Sequence, residues 1–468
     1  MYQPRDEGLV NLMNQRSARA GRRQKVAVIG TGISGLATAW MLRDTADVTV
    51  YEQNLHVGGH THTVDVETHG GTVPVDMGFI VYNEHTYPNL TALFEHLGVA
   101  TQTTDMSLAV SLDGGRLEYA GGYLSQLFAQ KRNLVRPRFW RMLSDLVRFY
   151  RSAPDDLEAL AAEGTTLGAY LDEKRYGAAF QEDHLLPMAA AIWSMPATDV
   201  RGYPAHAFIR FQENHGLLKL TDRPLWRTVT GGSQAYVRKL TSSFGDRIRV
   251  GAGVQAIERT PDGVLVRTDA AEAEIYDQVV IATHANQALA MLAAPTPDEQ
   301  RLLGAFRYTP NHAVLHSDDR LMPVRRRAWA SWNYIGRSQQ GDGENLTVTY
   351  WMNQLQALPT EEQLFVTLNP NEEVDPAKIH QTETFEHPVI DSAATEAQRD
   401  LWSLQGEGGV WFCGAHFGAG FHEDGLQAGL AVAEAISGRK RPWRVANESG
   451  RIVVGPSPRV RLSEGVAA

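Results

Sequence analysis

One cysteine, Cys413, stands in 468 residues. No intramolecular disulfide can form, so packing alone has to hold the fold. A run of about 18 apolar residues, the length a bilayer-spanning helix needs, is also missing. Positive charge is in deficit, with 44 Lys and Arg against 54 Asp and Glu and a net charge of −10. General nucleic-acid binding needs the opposite balance, so no nucleic-acid partner is expected. The stretch from Met1 to Gln24 is polar and Arg-rich and lacks the apolar core of a secretory signal. Residues 1–22 are therefore expected to be a flexible leader, and the cytoplasm is the expected compartment. Metal-ligand spacing is lacking too: the sixteen histidines are scattered, and His422–Glu423–Asp424–Gly425 is not HExxH. No metal is expected. The remainder is ordinary globular composition, 43% hydrophobic and 21% charged, long enough for two or three units.

Residues 25–52 carry the clearest pattern. Lys25 to Ile29 is a short apolar run, Gly30-Thr31-Gly32-Ile33-Ser34-Gly35 is G-x-G-x-x-G, and an apolar helical pattern follows. Asp47 to Tyr51 reads as a second strand and ends at Glu52, twenty positions after Gly32 (52 − 32). Each part has a task in dinucleotide binding. Gly30 makes the tight turn, Gly32 lets backbone approach a pyrophosphate, and Gly35 lets helix and strand pack closely. The helix start, with Ile33 and Ser34, offers free N–H groups and a positive dipole end to phosphate. Glu52 accepts from the ribose hydroxyls, with Gln53 beside it.

Gly58–Gly59 followed by His60 and Thr61 resembles the second glycine pair of FAD oxidoreductases, which nicotinamide dehydrogenases lack. Gly78, Phe79 and Ile80 are further expected cofactor contacts. Near the other end, Val410 to Cys413 reads as a strand, Gly414–Ala415 as a turn, and Leu426 to Ile436 as an apolar helix stopped by Gly438. In flavoproteins of this type that helix start, here Gly425–Leu426, points at the flavin. Thr230–Gly231–Gly232–Ser233 opens a helix through Leu240, and Gln278 to Thr283 is a strand leading to His284. This middle segment resembles the part that completes an FAD domain, with Val254 at the adenine and Ala282–Thr283 near the diphosphate.

Together these residues resemble the flavin amine oxidase and phytoene desaturase superfamily. The resemblance implies an α/β fold: a Rossmann-type, glutathione-reductase-like FAD domain with an inserted mixed α+β substrate domain. The expected FAD domain is discontinuous (23–100, 225–290 and 400–440), the substrate domain takes 101–224 and 291–399, and 441–468 is a C-terminal tail. FAD would be held non-covalently, with Cys413 a small buried hydrophobe. One departure is informative. Amine oxidases usually carry an acid where this chain has Ala415, whereas carotenoid-type desaturases also show Gly-Ala. That favours oxidation of an apolar C–C bond.

The stretches 75–99 (VDMGFIVYNEHTYPNLTALFEHLGV), SWNY (331–334), TYWMNQLQ (349–356), HPV (387–389) and 412–426 (FCGAHFGAGFHEDGL) are similar to a bacterial group of NAD/FAD-binding proteins. That group occurs with cyclopropane-fatty-acid-synthase-like methyltransferases. The resemblance implies a desaturase that dehydrogenates a methyl-branched unsaturated acyl chain, free or phospholipid-bound, by hydride transfer to flavin N5. A methyltransferase is then an expected partner. Two alternatives stay open: an amine oxidase using oxygen on a small amine, and a flavoprotein serving as structural partner of a lipid methyltransferase.

Flavin dehydrogenation also releases a proton, so a base is expected. His60, His62, His416, His422 and Glu423 are candidates by motif position, with His422 and Glu423 preferred because they immediately precede the flavin-facing helix. Tyr82, Trp332, Tyr334, Tyr350 and Trp351 are candidate pocket walls. Residues 130–152 carry seven basic residues and one acid, Asp145, with Phe139, Leu143, Leu146 and Tyr150 at helical spacing. Two readings stand: an interfacial helix giving peripheral contact with the inner membrane face, where anionic headgroups meet Lys and Arg, or an ordinary helix packed on the core. Arg325–Arg326–Arg327 extends the basic patch or is a solvated charge run.

Overall fold

The computed structural model describes residues 22–193, 197–214, 216–219, 223–269, 272–336 and 347–455. The expected leader up to residue 21, and 456–468 of the expected tail, lie outside them.

Strand Gln24–Ile29 sits in the middle of a five-stranded parallel sheet. Ala46–Tyr51 and then Ile248–Arg249 lie on one side of it, Gln278–Ile281 and then Val410–Phe412 on the other. Residues far apart in sequence thus meet at one sheet edge, where ligands of such sheets bind. Helix Ile33–Leu42 is apolar nearly all round because it is covered twice, by the sheet and by helix His422–Ser437. Contact between the two helices is close enough to require glycine: a Cβ at Gly429 would sit 2.2 Å from the Ser34 carbonyl oxygen. Thr38 Oγ1 seals the crossing by donating to the Gly429 carbonyl at 3.1 Å. Cys413 lies inside this core, 3.8 Å from Thr38 Oγ1. An antiparallel three-stranded ribbon, Val254–Thr260, Gly263–Thr268 and Glu274–Tyr276, completes this half.

The second half is a seven-stranded sheet. Its order is Ile379–Val389, Arg307–His316, Phe365–Leu368, Thr347–Trp351, Trp332–Gly336, Leu108–Leu112, Leu117–Ala120. It is antiparallel except where Trp332–Gly336 runs parallel to Leu108–Leu112. A helical insert from Pro137 to Asn214 has its own core around Phe149, Tyr170, Phe180 and Phe208. The α/β class with a mixed sheet and helices in its second half is what the motifs led one to expect.

Helix Pro137–Ser152 starts where Pro137 fixes φ at the first helical position. Its apolar face turns into the protein: Phe139, Met142, Phe149 and Tyr150 are buried. An interfacial helix needs that face free, so this helix is not one in itself. Arg138 is also engaged, donating to Asp183 at 2.7 Å and Glu182 at 2.8 Å. Beyond the last helix the chain packs rather than trails. Arg441 is buried against Glu434 and the Asn89 side chain, and Arg451 pairs with Asp424 at 2.5 Å.

Candidate active site

A cavity of about 1720 Å³ runs between the two halves. Its walls at one end are Gly30, Gly32, Ile33, Ser34, Glu52 and Gln53, with Val254 and Ala282 nearby. Farther along come Gly59, His60, Gly78, Phe79, Ile80, Gly414 and Ala415, and then an apolar limb. Gly35, Thr61, Gly425 and Leu426, expected among the cofactor contacts, stand behind the wall instead. Gly35 has a steric task there, since a Cβ on it would lie 2.0 Å from the Gly30 carbonyl oxygen.

The nucleotide end fits a dinucleotide. A Cβ at Gly32 would meet nothing within 4 Å, so open space faces the start of helix Ile33–Leu42. That helix start has no capping side chain and no acid in its first turn, leaving its N–H groups and dipole for a diphosphate. Glu52 is buried and fixed, accepting from the Thr31 amide at 3.0 Å and the Asn54 amide at 2.9 Å. Gly59, at φ +59°, brings the second glycine pair against the first: its Cβ would sit 3.0 Å from Gly32 Cα. Asp76 locks the turn Gly231–Ser233 by accepting from the Ser233 amide at 2.8 Å and from Thr63 Oγ1 at 2.5 Å. Burial pushes its carboxyl up to about 6 even against those hydrogen bonds.

The preferred base pair separates. His422 and Glu423 are consecutive on a helix, so their side chains point about 100° apart and cannot share one wall. His422 lines the cavity, stacked on Phe79 at 3.9 Å between ring centroids. Its Nε2 lies 2.6 Å from Tyr236 Oη, and burial pushes it down to about 3, so it is neutral. Glu423 faces the other way. It caps helix Pro88–Leu97, accepting from the Asn89 and Leu90 amides at 3.0 and 2.9 Å. That is a structural anchorage, and the structure does not bring Glu423 to the cavity.

Histidine is the recurrent polar group of the wall. Among the described residues, eight line the cavity: His56, His60, His62, His184, His284, His387, His416 and His422. None of the described lysines does. Among the described residues, no group of three or more His, Cys, Asp or Glu could hold a metal ion. His60 is the hub, with ring centroids 5.6 Å from His387 and 5.9 Å from His284. Burial, then the neighbouring imidazoles, pushes His60 down to about 3, and burial brings His387 and His416 to about 4 and 3. His387 Nδ1 lies 3.0 Å from the Asn311 amide nitrogen. His284 differs from these. It stacks on Tyr308 at 4.4 Å, and its Nδ1 is 3.3 Å from the partly exposed Glu386 carboxylate. Burial lowers its pKa, and Glu386 raises it in opposition.

Sequence reasoning named His60, His62, His416 and His422 of this cluster from their motifs but missed His284 and His387. His284 was visible only as the residue after a strand, and His387 only within HPV. The pairing of Arg307–His316 with Ile379–Val389 brings Asn311, Glu386 and His387 together. Of the candidate walls, Trp332 and Tyr350 line the cavity, whereas Tyr82 and Tyr334 are core and Trp351 packs against Trp329.

The apolar limb is built by Met106, Leu108, Leu127, Leu143, Leu146 and Met188 among others. His184, beside it, comes from a π-helical turn, Gln181–Leu185, and is held between Tyr119 Oη at 3.0 Å and Tyr150 Oη at 3.3 Å. Asp105, next to Met106, is occupied by Ser107 and Ser331.

The model of the family described as "Flavin containing amine oxidoreductase" matches residues 33–437. Human amine oxidase [flavin-containing] B is 25% identical over 252 residues, 52% of this chain and 47% of that protein. The chain thus spans about half the length of that curated relative. Among solved structures, cyclohexylamine oxidase from Brevibacterium oxydans superposes with a TM-score of 0.63 at 18% identity, covering 89% of this chain and 99% of the other. A CLA-producing fatty acid isomerase from P. acnes gives 0.58 at 14% identity, covering 87% and 97%.

Proposed function

The chain belongs to the flavin containing amine oxidoreductase family, an FAD-dependent oxidoreductase, and within that family we propose that it dehydrogenates a long acyl chain. The observation that carries this reading is the apolar limb, continuous with the cofactor end of one cavity and walled by leucine and methionine. A small cationic amine would leave that limb empty, and the carboxylate beside Met106, Asp105, already accepts from Ser107 and Ser331. A methyl-branched unsaturated acyl chain, as the resemblance implies, would fill it and contribute about 0.8 kcal/mol per buried CH₂.

FAD, when bound, would supply the two-electron acceptor for the hydride lost from one substrate carbon. The chain's own residues do the rest. Gly30–Ser34, Glu52 and the Gly58–Gly59 turn hold and orient the cofactor, and the apolar limb aligns the chain and excludes water. The proton lost from the adjacent or vinylogous carbon needs an acceptor. His284 is the imidazole best suited, because Glu386 stabilises its charged form and is itself open to solvent. His60 and His387, neutral and desolvated, extend this polar strip without trapping charge.

Similarity to amine oxidases of known name favours a second reading, oxidation of an amine. One experiment separates the two. The purified yellow protein is mixed without oxygen with methylated unsaturated phospholipid or with a panel of amines. Flavin bleaching by the lipid, with conjugated-diene absorbance in the extract, is the expected result. Bleaching by amines alone overturns the acyl reading.

A further inference from the structure

The cavity opens on a face that carries far more exposed apolar surface than the rest of the molecule. Tyr123, Leu124, Leu225 and Trp140 all line the cavity, yet are 77%, 76%, 58% and 49% exposed. Val135 and Val324, outside the cavity, are 81% and 73% exposed. They belong to one surface. Trp140 Nε1 donates to the Leu134 carbonyl at 2.9 Å, which ties the tryptophan to the turn Lys131–Val135. Arg132 and Arg325 converge on the Gly115 carbonyl at 3.4 and 3.0 Å, and Val324 packs beside Gly115.

The charge on this face is equally distinctive. Arg138 and Arg148 on the neighbouring helix have acidic partners. Lys131, Arg132, Arg136, Arg141 and Arg223 have none among the described residues. Arg136 is instead crowded by Arg132, Arg116 and Arg325, whose charges, after burial, lower its pKa. In a protein of net charge −10, uncompensated cations around an apolar rim call for an external anion and an external apolar phase together.

We propose that this rim is a docking surface for an anionic phospholipid bilayer, so that an acyl chain passes from the membrane into the cavity without crossing water. An anionic membrane surface supplies both missing partners: headgroups for the cations and the acyl boundary for Leu124, Val135, Val324 and Leu225. A protein seated on the same rim would close the mouth. Among the described residues no helix is long and apolar enough to cross a membrane, so contact is by surface insertion. The element that inserts is the exposed rim, Leu124, Val135, Val324 and Leu225 with Trp140 from the first turn of helix Pro137–Ser152, not the buried apolar face of that helix. The proposal rests on the acyl reading for what enters, but docking is measurable without turnover.

The test is co-sedimentation of the FAD-loaded full chain with vesicles of phosphatidylglycerol and phosphatidylcholine, or of phosphatidylcholine alone. Binding to the anionic vesicles, weakened by salt, is expected. Val135→Asp with Val324→Asp, both outside the cavity, should weaken it ~tenfold or more, and Lys131→Glu with Arg141→Glu should do likewise. An unchanged visible flavin band in these variants shows that they fold. Bleaching by detergent-dispersed lipid should also be unchanged, which keeps docking separate from chemistry. No binding by the parent, or unchanged binding by both double variants, overturns the proposal. Vesicle binding together with bleaching by amines only would sustain docking while removing the acyl reading.

Discussion

The two ends of the cavity are made in different ways. The nucleotide end is made of backbone: glycines at Gly30, Gly32 and Gly59, a bare helix start, and one fixed carboxylate, Glu52. The apolar end is made of side chains brought from separate stretches, Met106 to Val147, Met188, Leu217, Leu225, Trp226 and Leu368. A backbone site tolerates almost no substitution where chain crosses chain. A side-chain site is defined by volume and apolarity, which many residues supply. The difference shows why a cofactor can stay fixed in a family while the substrate changes.

The sharpest way to break this comparison is inside the glycine motif. Gly35→Ala puts a Cβ 2.0 Å from the Gly30 carbonyl oxygen, so strand and helix must separate. We expect a loss of about 3 kcal/mol or more and colourless protein, read from thermal unfolding and the flavin-to-protein absorbance ratio. Gly32→Ala meets no protein atom, so it should keep its unfolding temperature without cofactor and still lose FAD. If both variants behave alike, the open space at Gly32 is not the diphosphate site. Glu52→Ala comes next. It strips the acceptor from the buried Thr31 amide and from the half-buried Asn54 amide at about 1–3 kcal/mol, and the purified protein should be partly bleached of cofactor. A fully yellow variant would remove Glu52 from the ribose.

How much could be read without coordinates follows the same division. The strand–glycine–helix–strand–acid sequence around Gly30–Glu52 is local, so its spacing alone placed it. Gly414–Ala415 and Ala282 were placed because they end strands of the same sheet. His422 and Glu423 show the limit of such reading: adjacency in sequence is not adjacency in a site once a helix turns one of them away. The part of the histidine cluster made by His387 and Glu386 was illegible because it depends on strand pairing across some seventy residues, such as Asn311 with Phe385, and the apolar limb because its residues come from separate stretches. Helix Pro137–Ser152 had the right periodicity, but periodicity does not say whether protein or lipid covers the apolar face.

A middle-sized effect lies between the two ends. His284→Gln should slow flavin bleaching by about 10²-fold and leave the visible spectrum alone. His284 has to be neutral to accept a proton, and burial lowers its pKa, Glu386 notwithstanding. The bleaching rate should therefore be flat at neutral pH and fall only below the ordinary histidine value near 6.5. Glu386→Gln removes the group that raises that pKa, so the acid limb should move to still lower pH while the plateau drops. A limb that moves upward, or a full-rate His284→Gln, would return the role of base to another imidazole of the cluster.

The smallest effect is expected at the apolar end, and its size is what sharpens the contrast. Leu143→Ala and Leu146→Ala enlarge a wall that faces ligand space on one side and packs against a core on the other. Each should weaken a long acyl substrate by about 1–2 kcal/mol, read as a rise in the half-saturating lipid concentration with FAD content unchanged. The penalty should shrink as the acyl chain is shortened, because a chain that no longer reaches Leu143 has nothing to lose there. A penalty independent of chain length would mean that these leucines shape the fold and not the ligand, and the limb would lose its claim to hold an acyl chain.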